Sequence, residues 1–171
     1  MRAILMSDKP KWTHLVLNGY KLGEIRKSKP NCKLPITCFM YCSKNGSFER
    51  ENNEVLRYNP YKCQKGKVVA KMTIYAIEEV KPHFTEIYHD YHTDTLSCAE
   101  LLKKLSMDII TLDEYLKCKR GYLWYVRDVE IFDEPKDLSE FTTKVETDIK
   151  NGTTTLFYIN KAPQSWCYVE I

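Results

Sequence analysis

Residues 67–76 alternate more regularly than any other stretch of the chain. Val68, Ala70, Met72, Ile74 and Ala76 fall on one side, and Val69, Lys71, Thr73 and Tyr75 on the other. A two-residue period of this kind is that of a strand with one buried face and one that is wet or lines a cleft. The same period recurs at 34–42, where Ile36, Cys38, Met40 and Cys42 oppose Thr37, Phe39 and Tyr41. Further strands are predicted at 2–6, 122–132 and 166–171, and on both sides of Asn151-Gly152 within 141–159. Asn-Gly is the strongest short hairpin signal, since both residues tolerate the positive φ of a type I′ turn. A strand over 21–26 is interrupted by Gly23, where a bulge forms easily.

Three short helices are predicted between the strands. Ser7-Asp8-Lys9-Pro10 carries a capping side chain followed by proline, Trp12, Leu15 and Val16 repeat at helical spacing, and Asn18-Gly19 supplies the stop. Ser97-Cys98-Ala99-Glu100 and Thr111-Leu112-Asp113-Glu114 both read as capping boxes, with Leu96 facing Leu101 and Ile110 facing Tyr115 as hydrophobic staples. Residues 43–66 are polar and aperiodic, with turn signals at Lys44-Asn45-Gly46-Ser47 and Asn59-Pro60. The pattern is that of an α+β protein: a barrel of six or seven strands whose last strand returns to the first, flanked by short helices. At 171 residues a single domain is expected.

With 43% hydrophobic residues, 29% charged residues and a mean hydropathy of −0.46, the chain is neither disordered nor a helical membrane protein. Its start is too quickly polar for a signal peptide, so a cytoplasmic location is expected. Seven cysteines, an odd number without a C-x-x-C pair, read as reduced thiols. Cys38 and Cys42 lie four apart but lack the second ligand pair that a zinc site needs. His83, His89 and His92, with Glu86, Asp90 and Asp94, form a ligand-rich stretch whose spacing fits no helix face and which nothing else in the chain completes. It reads as a polar loop over a cleft, with no metal and no cofactor expected.

The net charge of +3 hides an asymmetry. Residues 1–81 hold sixteen Lys and Arg against seven Asp and Glu, and residues 82–171 hold ten against sixteen. This marks a polyanion-binding face unless the two halves interleave in the fold. The densest basic stretch carries Lys21, Arg26, Lys27, Lys29 and Lys33 around a single acid, Glu24. On its own it reads as a phosphate-holding loop and strand, or as an edge strand guarded by lysines. Arg26, two residues after Glu24, shares its face and suits a bidentate contact with it. A bulge at Gly23 would bring Lys21 to the same side. Trp12, Tyr20, Tyr41, Trp124 and Tyr125 are candidates for stacking on a base. Periodicity places Trp12 and Trp124 first in the core, and Tyr20, beside Lys21, is the one expected at the surface.

These residues carry a family resemblance. Ile4-Leu5-Met6-Ser7, Lys9-Pro10, Trp12, Leu17-Asn18-Gly19, Lys21 and Glu24-Ile25-Arg26-Lys27 resemble the G-x-K-x-x-E-x-R signature of the ASCH domain, a branch of the PUA-like superfamily. Gly66-Lys67-Val68-Val69-Ala70, Gly121-Tyr122 with Trp124, Phe132-Asp133-Glu134-Pro135-Lys136 and Pro163-Gln164-Ser165-Trp166-Cys167-Tyr168 are similar to later blocks of its small bacterial and phage members.

The resemblance implies a PUA-like β-barrel of about six strands over 1–171, with a hairpin insertion at 142–160 and short helices flanking a cleft. It also implies that Lys21, Glu24 and Arg26 project into that cleft. Lys21, Glu24, Arg26, Lys27, Lys29 and Tyr20 are then the candidate ligand-binding residues, for RNA, single-stranded nucleic acid or a nucleoside. One branch of the family hydrolyses the amide of N4-acylated cytidines with a lysine, a threonine and an acid. Lys21 matches the lysine, Glu24 stands where that branch has threonine, and Asp94, ahead of a helix, is the candidate acid. Three functions follow: a nucleic-acid or nucleotide-binding module, an amidohydrolase of modified nucleosides with Lys21 and Glu24 as the working pair, and a protein-interaction adaptor. No partner membrane is expected.

Overall fold

A computed structural model describes residues 1–46, 64–86, 89–148 and 152–171. Within them the chain is α+β, with nine strands and three helices, and no helix is long and apolar enough to cross a membrane. Strands β1 (Arg2–Asp8), β2 (Gly23–Arg26), β3 (Ile36–Cys42), β4 (Lys67–Phe84), β6 (Gly121–Lys136), β7 (Thr142–Asp148), β8 (Thr153–Tyr158) and β9 (Trp166–Glu170) form one sheet in the order β2-β6-β4-β3-β1-β9-β7-β8. Strand β5 (His89–His92) pairs with the far end of β4. The last strand does return to the first, with Ala3 opposite Val169 and Met6 opposite Trp166. The path itself is open from β2 to β8 among the described residues, so a closed barrel is not seen.

The strands at the centre are much longer than periodicity predicts. β4 and β6 pair antiparallel from Val68 opposite Lys136 to Val80 opposite Gly121, through three register shifts. Each shift bends the ribbon and re-aims its side chains, which breaks the simple alternation after Ala76 and lets one pair of strands serve two cores. Met72, Ile74, Trp124 and Val126 pack with Ile4, Met6, Val16, Cys38 and Met40 in the first. Val80, Leu123 and Tyr125 pack with Ile25, Tyr91 and the helical leucines in the second. Pro82 and Pro135 lie near the ends of these strands, where a missing N–H is tolerated.

Helix α1 (Pro10–Leu17) begins with proline as predicted, but Lys9 occupies the capping position and provides no side-chain cap. Asp8 closes β1 instead, and its carboxylate is used elsewhere. Helix α2 (Cys98–Leu105) has the predicted capping box, with Ser97 and Glu100 bonding each other's backbone N–H. Helix α3 (Ile109–Leu116) starts one turn earlier than predicted, because Asp108 Oδ1 accepts from the Thr111 N–H at 2.7 Å. That start turns Leu112 and Leu116 into the second core and leaves Ile110 70% exposed, so the predicted Ile110 staple does not form. Asp108→Ala should cost about 1 kcal/mol of stability, the usual worth of such a cap, against a smaller loss for Thr111→Ala, which keeps the backbone bond. Chemical denaturation of both variants measures it.

The two charge-imbalanced halves interleave. Lys67 pairs with Asp137 at 2.6 Å and Lys71 with Glu130 at 2.7 Å, so first-half lysines meet second-half acids. Arg120 from the second half meets Glu79 from the first. The β7–β8 hairpin forms around Gly152 (φ 65°), with Val145 opposite Leu156; Asn151, like Ser47 and the Asn59-Pro60 turn, lies outside the described residues. Cys32, Cys38, Cys98, Cys118 and Cys167 are free thiols, whereas Cys42 is disulfide-bonded, which departs from the expectation of seven reduced cysteines.

Candidate functional site

Four charged side chains meet where β1, β2 and the turn after α1 converge. Glu24 and Arg26, on alternate residues of β2, point to the same side, and Arg26 Nη2 lies 3.5 Å from Glu24 Oε2. Lys21 Nζ stands 3.6 Å from the same oxygen. No bulge at Gly23 is involved, since β2 pairs with β6 in regular register from Gly23 onward. Lys21 precedes the strand, its backbone N–H bonded to the Leu15 carbonyl, so strand alternation does not govern its direction. Gly23 is needed for space instead: a Cβ there would sit 2.6 Å from Leu123 Cδ1.

Asp8 is the fourth member, which the sequence shows only as part of the helix start signal Ser7-Asp8-Lys9-Pro10. Its Oδ1 accepts from the Lys9 N–H at 2.9 Å, while Oδ2 lies 3.5 Å from Arg26 Nη2. Arg26 Nη1 donates to the Ser7 carbonyl at 3.1 Å, so the guanidinium spans the end of β1 and the Glu24 carboxylate. Lys21 Nζ donates to the Leu105 carbonyl at 3.3 Å and sits 5.2 Å from the centre of the Trp12 ring. The cluster is thus roofed by the end of α2 and by α1.

Lys21, Glu24 and Arg26 are 2%, 2% and 5% exposed. Burial at this level penalises charge. It pushes the Glu24 carboxyl up to about 8, helped by the neighbouring Asp8 carboxylate, while Lys21 and Arg26 pull the other way. Burial also works against the Arg26 charge, but Asp8 and Glu24 outweigh it and raise its pKa. Tyr115, on α3 beside this group, is likewise raised by burial. Glu24 Oε1 and Arg26 Nε are shut from solvent without a hydrogen-bond partner among the described residues. A polar group in that condition costs free energy that a ligand's own polar atoms would recover.

Next to the cluster lies an open groove of about 470 Å³ lined by Lys11, Trp12, Lys103, Ser106, Asp108 and Thr111, among others. Trp12 is its aromatic wall: Lys11 Nζ lies 4.6 Å from the ring centre and Lys21 Nζ 5.2 Å. The indole thus touches both a lysine of the groove and the buried lysine. Trp12 is only half-buried, whereas Tyr41, Trp124 and Tyr125 are core residues and cannot stack on a ligand as they stand. Tyr20 is 53% exposed, as expected of the residue beside Lys21, and its carbonyl accepts from Ser106 Oγ at 2.6 Å.

The basic stretch 21–33 does not form one continuous rim. Lys21 and Arg26 turn inward, while Lys27, Lys29 and Lys33 are exposed, Lys27 against the Tyr115 ring at 5.0 Å and Lys29 against Tyr122 at 5.5 Å. Asp94 is exposed and paired with Lys81 at 2.7 Å, and no contact joins it to Lys21 or Glu24. Of the residues singled out from sequence, the structure brings Lys21, Glu24 and Arg26 together and adds Asp8 and Trp12.

No protein-family model matches the sequence, and no curated protein does. Among solved structures, the chain is similar to the ASCH protein of Zymomonas mobilis, with a TM-score of 0.59 at 14% identity over 98% of this chain and 87% of that one. A tyrosine-to-phenylalanine variant of that protein gives a TM-score of 0.57 at 13% identity over 98% and 90% of the two chains. A serine-to-alanine variant gives the same score and identity over 98% and 88%. The likeness covers nearly the whole chain and is one of fold.

Proposed function

We propose that this chain, which has the fold of the ASCH proteins, is a nucleic-acid or nucleotide-binding module of the PUA-like class. On this reading it is one domain with the 142–160 hairpin as an insertion beside a PUA-like barrel, working in the cytoplasm on RNA, single-stranded nucleic acid or a nucleoside. The observation that carries it is the juxtaposition of a groove flanked by Lys11 and Lys103 with a buried cluster of Asp8, Lys21, Glu24 and Arg26 behind Trp12. A base stacked on Trp12 would reach the buried polar atoms that can read its edge once the indole turns aside. Glu24, lifted to about 8, keeps its proton at neutral pH and so offers both a donor and an acceptor. Phosphate contacts fall to the exposed lysines, Lys27 and Lys29 as well as those of the groove, since Lys21 and Arg26 are not at the surface. Tyr20, exposed and joined through its carbonyl to Ser106 of the groove, is a further contact on this reading.

Fluorescence anisotropy with short single-stranded RNA and DNA tests this. Wild type should bind at low salt with an affinity that falls steeply as salt rises. Trp12→Ala should weaken binding by about 1–3 kcal/mol, the usual worth of one stacked base. Absence of binding at low salt, or equal binding by Trp12→Ala, defeats the reading.

One observation favours a second reading, hydrolysis of an N4-acylated cytidine-like nucleoside. A carboxyl with its pKa near 8, 3.6 Å from an amine, is poised for proton transfer at neutral pH. Water would add to the amide carbonyl and the C–N bond would break, giving the nucleoside and a carboxylic acid. Conversion of N4-acylcytidines, followed by mass spectrometry, should be seen with wild type and lost in Lys21→Ala. The adaptor reading has no comparable observation behind it.

A further inference from the structure

The ligand-rich loop predicted around His83, His89 and His92 is completed by residues that the sequence places far from it. On β5, His89 and Tyr91 face one way and Asp90 and His92 the other; His83 turns to Asp90 at 3.4 Å, so the three histidines do not converge. His89 instead meets the end of α3. Its Nε2 lies 3.2 Å from Asp113 Oδ1, and Cys118 Sγ lies 3.4 Å from the same oxygen. All three donor atoms fall within 4.8 Å of one another.

We propose that His89 Nε2, Asp113 Oδ1 and Cys118 Sγ bind one divalent cation of the zinc class, with a fourth position open to solvent. The two edges that meet at Asp113, 3.2 and 3.4 Å, are close to those of a tetrahedron whose centre lies about 2.0–2.3 Å from nitrogen, oxygen and sulfur donors, and the third, from His89 Nε2 to Cys118 Sγ, is within 4.8 Å. Imidazole and thiolate select a borderline-soft ion over calcium or magnesium.

Three further features point to a ligand. His89 Nε2, the donor atom itself, is shut from solvent and, although 3.2 Å from Asp113 Oδ1, makes no hydrogen bond of good geometry among the described residues. Asp113 is held in place from behind: the hydroxyl of Tyr91, a fully buried side chain, donates to its Oδ1 at 2.6 Å and accepts from the Cys118 N–H at 3.0 Å. An outer-shell partner of this kind orients a metal-binding carboxylate. Finally, Lys117 and Cys118 take φ of 54° and 56°, a left-handed conformation that non-glycine residues rarely adopt in succession. That turn doubles the chain back past the end of α3 and lays the Cys118 thiol against Asp113. On binding, the thiol proton leaves to solvent and the sulfur coordinates as thiolate. The ion would tie β5 to the end of α3, and it shares no residue with the charge cluster of β2, so this inference stands apart from the proposed nucleic-acid site.

Titration of the protein with cobalt(II), followed by absorption spectroscopy, tests the proposal. One equivalent should produce a thiolate-to-cobalt charge-transfer band, and added zinc should displace it. Cys118→Ser should abolish the band, and His89→Ala should weaken the affinity by more than the ~10–100-fold that loss of an outer-shell partner costs. Cys118 is exposed and His89 partly so, and circular dichroism checks that the variants are folded. Absence of the band in wild type, or an equal band in Cys118→Ser or unchanged affinity in His89→Ala, overturns it.

Discussion

Replacing Arg26 by alanine should lower the unfolding free energy by about 3–5 kcal/mol at pH 7, the usual cost of removing one partner from a buried ionic group. Arg26 is 5% exposed and touches three things at once: the Ser7 carbonyl, Asp8 and Glu24. Without it, the Asp8 and Glu24 carboxyls face each other in a site closed to water, with Lys21 on the Glu24 side as the remaining cation. The pH dependence separates this cause from a simple packing loss. Glu24 holds its proton from pH 5 to 7 in both proteins, but in the variant, without Arg26 to pull its pKa down, it keeps that proton further above pH 8, so the deficit should widen from pH 7 to pH 9. Arg26→Lys should recover only part of the loss, because a single ammonium cannot span the carbonyl and both carboxylates as a planar fork does. Urea denaturation of the three proteins at both pH values measures this, and a loss below 1 kcal/mol at pH 7 would mean that water reaches the cluster.

Arg26 also shows what was legible beforehand. The pairing of Glu24 with Arg26 is local, two residues apart on one strand, and alternation alone predicts it. Asp8 carries the same kind of signal as a helix cap, a short acid two residues before the Pro10 that opens a helix. Nothing in the sequence says that β1 runs on to Asp8 and lies close to β2, because that depends on where strands far apart in the chain come together. The same limit applies to β4 and β6. Their bulges mix the two faces, so the hydrophobic pattern decays after Ala76 while the strand continues to Phe84. The helix start at Asp108 was misplaced for a different reason: two acceptors stood one turn apart, and the burial of Leu112 and Leu116 decided between them. The His89, Asp113 and Cys118 cluster was hidden because Cys118 reaches Asp113 only through two left-handed residues, neither of which is glycine.

Glu24→Gln should change the shape of the stability curve more than its height. In the unfolded chain Glu24 titrates near its ordinary 4.5, and in the folded protein near 8, chiefly because burial penalises its charge. Between those values the folded state holds a proton that the unfolded state has lost. Stability from this group is therefore fully present below about 4.5, falls as pH rises, and is gone above about 8. A single group of this kind contributes a slope of about 1.4 kcal/mol per pH unit across that window. Glutamine cannot ionise, so the variant should lack this component of the slope and should exceed wild type by the largest margin above pH 8. Lys21 and Arg26 temper the gain, since each loses a carboxylate neighbour once Glu24 would have been charged. A protein that keeps a costly carboxyl there, where a neutral amide would be more stable at alkaline pH, holds it for what the proton can do. Thermal unfolding of wild type and Glu24→Gln from pH 5 to 9 measures the difference. Parallel curves would show that Glu24 is already ionised at neutral pH, and with that the proton-bearing role assigned to it in both the binding and the hydrolytic reading would be lost.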